Sequence, residues 1–267
     1  MIHPTAVIAP EAKLGGGVSV GPHSVIGENV TIGDGTTIGA NVVIEGEVTI
    51  GSGNRIGHGS VIGGEPQDIG FQRSTRSRVE IGDGNNIREH CTIHRGTVQD
   101  SATTIGHENF LMVGVHIGHN CAVANKTIIA NNVLLAGNVS IADQTFIGGG
   151  SVFHQNMRVG RLVMVQGSSG FGKDLPPFTL AAKRNAVFGL NVIGLRRAGF
   201  SMEQRDEIKR AFKLLYLSGH NTRDAMKEAA NQPWSALGQE FFEFVRVALT
   251  MRGLCPYRRE PKEEIAG

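Results

Sequence analysis

The chain has 267 residues, a formal net charge of +2, 37 glycines and only 6% aromatic residues. That charge is too mild to argue for a nucleic-acid partner. Cys91, Cys121 and Cys255 are odd in number and scattered, which suits a reducing compartment and no disulfide framework, and with no apolar run near ~18 residues and no N-terminal signal peptide, a soluble cytoplasmic protein without membrane insertion is expected.

From Ile2 the chain keeps a period of six through Ile8, Leu14, Val20, Ile26, Ile32, Ile38, Ile44, Ile50, Ile56 and Ile62, every stop a branched aliphatic and glycine the commonest next residue. A period of six is neither helical nor plainly extended; it reads as a short strand plus a turn, repeated. The aliphatic points inward from a strand, and the following Gly, Asn or Asp suits a turn of positive φ. Three such strands close a triangular coil of 18 residues, and coils stack about 4.8 Å apart. A β-sandwich does not hold one period for so long. His3, His23 and His58 stand singly in these first coils and read as solvated turn residues.

Residues 64–78 interrupt the repeat with a polar excursion that carries Gln67 and Asp68, with Arg73, Arg76, Arg78 and Arg88 in or near it. Long departures from a regular scaffold often carry function. The period resumes at Ile81, Ile87 and Ile93, and a strand ending in His94 is followed by a second excursion, 98–104, expected to hang beside the first. From Ile105 the column runs unbroken to Phe171. Within it, steps of 18 place Gly137 below His119 and Gln155 below Gly137, so that a candidate base lies one coil from a candidate oxyanion donor. The same steps align Asn120, Asn138 and Asn156, an expected ladder of amides bonded from coil to coil. Pro176 and Pro177 are expected to end the strand series, and residues 178–200 read as an irregular crossover. Beyond it the period is helical: a capping box at Ser201 and Gln204, a second helix capped by Thr222, a third from Trp234 to Met251, and a frayed tail over 256–267. The domain expectation is a β-helix over 1–190 and an α-helical domain over 191–267.

At Thr92–Val98 (TIHRGTV) and His116–Cys121 (HIGHNC) the chain resembles the acyl-carrier-protein–UDP-N-acetylglucosamine O-acyltransferases, which open lipid A synthesis. The resemblance extends to Pro66-Gln67-Asp68, Leu135-Ala136-Gly137, His154-Gln155, Asp174-Leu175-Pro176-Pro177 and Gly199-Phe200-Ser201. It implies a left-handed parallel β-helix of hexapeptide repeats with a small α-helical C-terminal domain, assembled as a homotrimer with active sites between subunits. It also implies acyl carrier protein as the acyl donor, UDP-N-acetylglucosamine or an analogue as acceptor, and no cofactor or metal. By resemblance His119 is the general base and Gly137 the backbone N–H that meets the oxyanion; Gln67, Asp68, His94, His116, Asn138, His154 and Gln155 line the substrate cleft. Asn191 and Arg197 contact the nucleotide, and Gly167 limits the acyl chain. Cys121 reads as a buried strand residue.

Four positions depart from the family pattern: Asn120 for an Asp, Asn138 for a His, Gly70 for a Lys and Ile193 for a Glu. They keep open a related acyltransferase that uses a 3-amino or other nucleotide sugar, and a non-catalytic relative that only binds nucleotide sugar or carrier. A zinc lyase of the same fold is a third class, but its close histidine pair is spaced by four residues, whereas His116 and His119 are spaced by two.

Overall fold

The computed structural model describes residues 1–259 of the chain. Short parallel strands form three sheets, which we number as faces in the order the chain meets them. Face 1 has nine strands, from Val7–Ile8 to Gly170–Phe171; face 2 has eight, from Lys13–Leu14 to Arg158–Val159; face 3 has ten, from Ser19–Val20 to a closing hairpin. The chain visits 1, 2 and 3 in turn, and the coil is a left-handed parallel β-helix. Ile117 pairs with Leu135, Leu135 with Phe153 and Phe153 with Phe171, the 18-residue step of the sequence pattern. These inward side chains are at most 4% exposed. Each such burial contributes on the order of 1.5–3 kcal/mol, which is why the aliphatic column tolerates so little else.

The corner between faces 2 and 3 holds a buried polar ladder. Asn85 N donates to Asn54 Oδ1 (2.9 Å), Asn109 N to Asn85 Oδ1 (2.9 Å) and Thr127 N to Asn109 Oδ1 (2.8 Å). The ladder expected of Asn120, Asn138 and Asn156 does not form. Those residues are stacked, but at φ of 59°, 60° and 62°, and what links their coils is backbone: Asn138 N to His119 O and Asn156 N to Gly137 O. Asparagine is there because it tolerates the left-handed turn.

Both excursions leave from the corner between faces 1 and 2. Thr92 pairs with Val61, 31 residues before it, and with His116, 24 after it, where an unbroken coil steps by 18. As expected, the loops lie side by side: Asp100 N donates to Arg76 O (2.8 Å) and Ser77 Oγ to Gly96 O (2.6 Å). Arg95 pins the first loop from the second, donating to Thr75 O (2.9 Å) with its guanidinium 4.9 Å from the Phe71 ring centre. The second excursion ends earlier than the sequence suggests. Ala102–Ile105 is a strand of face 2 in register with Arg78–Ile81, because Thr103 fills the inward column above Val79.

The prolines do not end the series. Val159 bridges Leu175, and Thr179–Ala182 pairs with Met164–Val165 on face 3. Pro176 and Pro177 fall at the corner between, where no ladder donor is needed. Residues 178–200 are likewise no irregular crossover: Ala186–Leu190 turns back antiparallel on Thr179–Ala182, and helix α1 (Val192–Arg197) follows. Helix α2 (Met202–Tyr216) has the Ser201–Gln204 capping box. Helix α3 (Thr222–Ala230) is capped by Asn221 rather than Thr222. Helix α4 (Ala236–Ala248) starts after Trp234, because Ser235 is its cap and the indole donates back to Ala229 O (2.9 Å). Leu195, Ile208, Leu215, Phe241 and Val245 close a second core around Leu162 and Phe178 of the coil. In the tail expected to fray, Tyr257 pairs with Val187 and packs edge-on against Phe212, while residues 260–267 lie outside the described residues. Among the described residues no helix is long and apolar enough to cross a membrane.

Candidate active site

The corner below the two loops gathers several of the candidate residues. A cleft of ≈ 400 Å³ there is lined by Gln67, His94, His116, His119, Gly137 and Gln155, with Leu134, Ala136, Val152 and Phe153 as its apolar wall. Six residues singled out in the sequence thus meet in one place. His119 stands two residues beyond the inward Ile117, and its ring lies directly over Gly137 of the next coil. A Cβ at Gly137 would collide with Cε1 and Nε2 of that ring, so the glycine is required by the close approach and not by its own φ. Among the described residues the Gly137 amide N–H has no acceptor. His119 Nδ1 is 3.0 Å from Asn120 Oδ1.

The other two histidines are less polar in their surroundings. His94 and His116 meet edge to face with ring centres 5.0 Å apart. Burial, then the neighbouring His116 and His119, lowers the His94 pKa to about 4, and its Nδ1 is buried without a partner among the described residues. His116 is lowered as well, by burial first and His119 second, and its Nδ1 lies 2.7 Å from Thr92 Oγ1. Both rings are therefore neutral near pH 7. Burial pushes the Cys121 thiol up to about 12 and Cys91 to about 11, so neither supplies a thiolate. Among the described residues no three His, Cys, Asp or Glu side chains gather as a metal site.

The remaining expected site residues lie elsewhere in this chain. Asp68 is exposed in the first loop and caps its own turn, accepting from Gly70 N (2.8 Å). Asn138 is exposed beside the cleft. His154 belongs to the adjoining depression with Lys183, Arg184 and Asn185, and Arg252 sits 2.7 Å from its Nδ1. Gly167 is at another corner, between faces 3 and 1, against Gly149. Asn191 caps α1, accepting from Gly194 N (2.9 Å) and donating to Leu162 O (2.9 Å), and Arg197 is exposed at that helix's end. Sequence reasoning missed Arg95, which holds the loop bearing Gln67, and Thr97 and Ser101, which bind Asn120. The HRG motif was the available signal, but the broken register hid what its residues reach.

Residues 174–255 match the family model described as UDP N-acetylglucosamine O-acyltransferase, domain 2, and residues 29–64 match the bacterial transferase hexapeptide model. The chain is 48% identical over 231 residues to an acyl-[acyl-carrier-protein]–UDP-N-acetylglucosamine O-acyltransferase of Thiobacillus denitrificans, covering 86% of this chain and 89% of that one. The structure of the Francisella novicida UDP-N-acetylglucosamine acyltransferase superposes with a TM-score of 0.91 at 34% identity, covering 98% of this chain and 95% of that one. The Bacteroides fragilis enzyme gives 0.89 at 43% identity, covering 95% and 99%.

Proposed function

The chain belongs to the acyl-[acyl-carrier-protein]–UDP-N-acetylglucosamine O-acyltransferase family and is an acyltransferase of lipid A synthesis; from that premise we propose that it moves a (3-hydroxy)acyl group from acyl carrier protein to the 3-position of UDP-N-acetylglucosamine, with His119 as general base and the Gly137 N–H as oxyanion donor. The observation that carries the reading is the juxtaposition of the His119 ring with an amide N–H that has no acceptor of its own.

The chemistry is direct transfer. The sugar hydroxyl gives its proton to His119 Nε2 as its oxygen attacks the thioester carbonyl. An imidazole suits this role because its neutral ring offers one bare nitrogen as a proton acceptor. The tetrahedral oxyanion forms against the Gly137 N–H, a contact worth about 3 kcal/mol in comparable sites. Collapse expels the carrier thiolate, which takes up the proton, and no covalent enzyme intermediate is needed. Leu134 and Val152, each 46% exposed on the outer side of face 1, are an apolar wall suited to the acyl chain or to a second copy of the protein. We assign them to both: the functional unit is a homotrimer, in which Gly167, Asn191 and Arg197 of one copy complete the cleft of another.

A second reading concerns the acceptor. Gly70, Asn138 and Ile193 are all exposed, and Ile193 is 65% so. Their departures from the family pattern therefore fall on the surface and bear on acceptor recognition, which keeps a 3-amino or other nucleotide sugar as the alternative acceptor. Acyl transfer from 3-hydroxyacyl carriers of graded length, with the 3-hydroxy and 3-amino acceptors side by side, tests both. Turnover with the hydroxy sugar supports the first reading and turnover with the amino sugar alone the second. Silence with both overturns the function.

A further inference from the structure

The family pattern has a carboxylate beside the base, and a carboxylate presents oxygen whichever way it turns. Asn120 presents oxygen on one side and NH₂ on the other, so its orientation decides what His119 sees. We infer that Thr97 and Ser101, in the loop that follows the HRG motif, are positioning residues that lock the Asn120 amide and thereby fix the His119 tautomer with its proton on Nδ1. The inference rests on His119 being the base, and it concerns how this chain keeps that base competent without the carboxylate.

Side-chain and backbone partners hold the Asn120 amide on both of its sides. Thr97 N lies 3.0 Å from Asn120 Oδ1, and a backbone N–H can only donate, so the atom it meets is the oxygen. The Thr97 hydroxyl reaches the same oxygen at 3.0 Å. On the other side Asn120 Nδ2 lies 2.9 Å from Ser101 Oγ. The one proton of that hydroxyl is committed to Val98 O at 2.6 Å, so Ser101 must accept, and the atom it accepts from is the NH₂. Two independent contacts thus give one orientation. Reversing the amide would set its NH₂ against the Thr97 N–H and leave its oxygen facing a hydroxyl with no proton to give. Asn120 N also donates to Thr103 Oγ1 (2.8 Å), which holds the backbone at φ 59°.

The consequence passes to the ring. An amide oxygen that accepts from Thr97 also faces His119 Nδ1 at 3.0 Å. It can only accept, so Nδ1 carries the proton and Nε2, over Gly137, is the bare acceptor that a general base needs. The lock also accounts for the glycine of the HRG motif: a Cβ at Gly96 would collide with Ser101 Oγ and meet Asn120 Nδ2 at 2.9 Å.

Two measurements test the lock. The first reads the tautomer by ¹⁵N NMR of the full-length protein labelled in its histidines, with His119→Ala identifying the signals. The expected result is a protonated Nδ1 and a bare Nε2, with loss of that preference in Asn120→Ala; a protonated Nε2 in the wild type overturns the lock even if His119→Ala is inactive. The second is a double-mutant cycle. Ser101→Ala should lower kcat about fivefold at unchanged KM, the weight of one lost hydrogen bond. In an Asn120→Asp background, where no wrong orientation exists, the same change should matter less than about twofold. Equal losses in both backgrounds would make Ser101 a loop-folding residue and overturn its role. Silence of the enzyme with every acyl acceptor, together with the expected tautomer, would remove the proposed function and leave the lock standing.

Discussion

Two corners of the same coil place a histidine at the same point of the hexad and use it in opposite ways. His107, two residues beyond Ile105 between faces 2 and 3, accepts the N–H of Asp83 from the preceding coil at 2.9 Å. It is one rung of a ladder in which Asp34 accepts from Gly16, Asp83 from Ser52, Asn125 from His107 and Asp143 from Asn125. His58 does the same for Ala40 between faces 3 and 1, at 2.7 Å. His119, two residues beyond Ile117, caps nothing. The equivalent residue of the coil before it is Arg95, where the chain leaves for the second excursion and the N–H goes instead to Gly64 O. One coil further on, Gln155 leaves the Gly137 N–H unclaimed among the described residues. At the capping corners a side chain meets the N–H of the neighbouring coil; at the cleft the Arg95 N–H goes to Gly64 O, which leaves the His119 ring free of that duty, and the Gly137 N–H is left without an acceptor among the described residues. The unsatisfied donor that would be a fault in the ladder is the one proposed here for the oxyanion.

Gly137→Ala should break the contrast most sharply. The new Cβ takes the place of the His119 ring while the N–H remains, so kcat is expected to fall by about 10²–10³ through misplacement of the base. Gly16→Ala, at the capping corner, meets only Asp34 Oδ1 at 3.8 Å and should leave turnover unchanged in the same steady-state assay. Asn120→Asp sharpens the contrast from the other side. A carboxylate stabilises imidazolium, so the acid limb of the pH–rate profile should move up by roughly one unit and the plateau rate should rise; an unmoved profile contradicts the assigned role of His119.

The two corners should also differ in how stability responds to conditions. His94 is held neutral in the fold, with its pKa near 4 against an ordinary value of 6.5. Between those values the unfolded chain binds the proton and the folded chain does not, so stability is constant above pH ~6.5 and falls as pH drops toward ~4. Urea midpoints from pH 7.5 to 4.5 should show this slope, and His94→Gln should reduce it, leaving the part that comes from His116, which burial also lowers. Asp143→Ala removes a rung of the ladder. It should cost about 1 kcal/mol in the same titration, with no effect on kcat.

Much of this was legible in the sequence for a simple reason. A column of branched aliphatics at a fixed step can be built in few ways, and once the coil is granted, counting by 18 sets His119 over Gly137. The count fails wherever the step fails. Thr97 and Ser101 reach Asn120 across 23 and 19 residues through an excursion, so no periodicity relates them. The asparagine column misled because the same residue serves turns by its φ and ladders by its amide, and only the backbone tells which. Pro176 and Pro177 misled because a proline breaks a strand but not a corner. Gly167, Asn191 and Arg197 came from resemblance and not from counting, and they lie away from the cleft of this chain.

The most direct test of the contrast is the acyl-transfer rate of His119→Ala beside His107→Ala, the same change at the same point of the hexad. His119→Ala should lose about 10²–10⁴ in kcat with assembly and thermal midpoint kept. His107→Ala should keep its rate and lose about 1 kcal/mol of stability. Full activity in His119→Ala, or a comparable loss of rate in both variants, would contradict the division between a capping corner and a catalytic one.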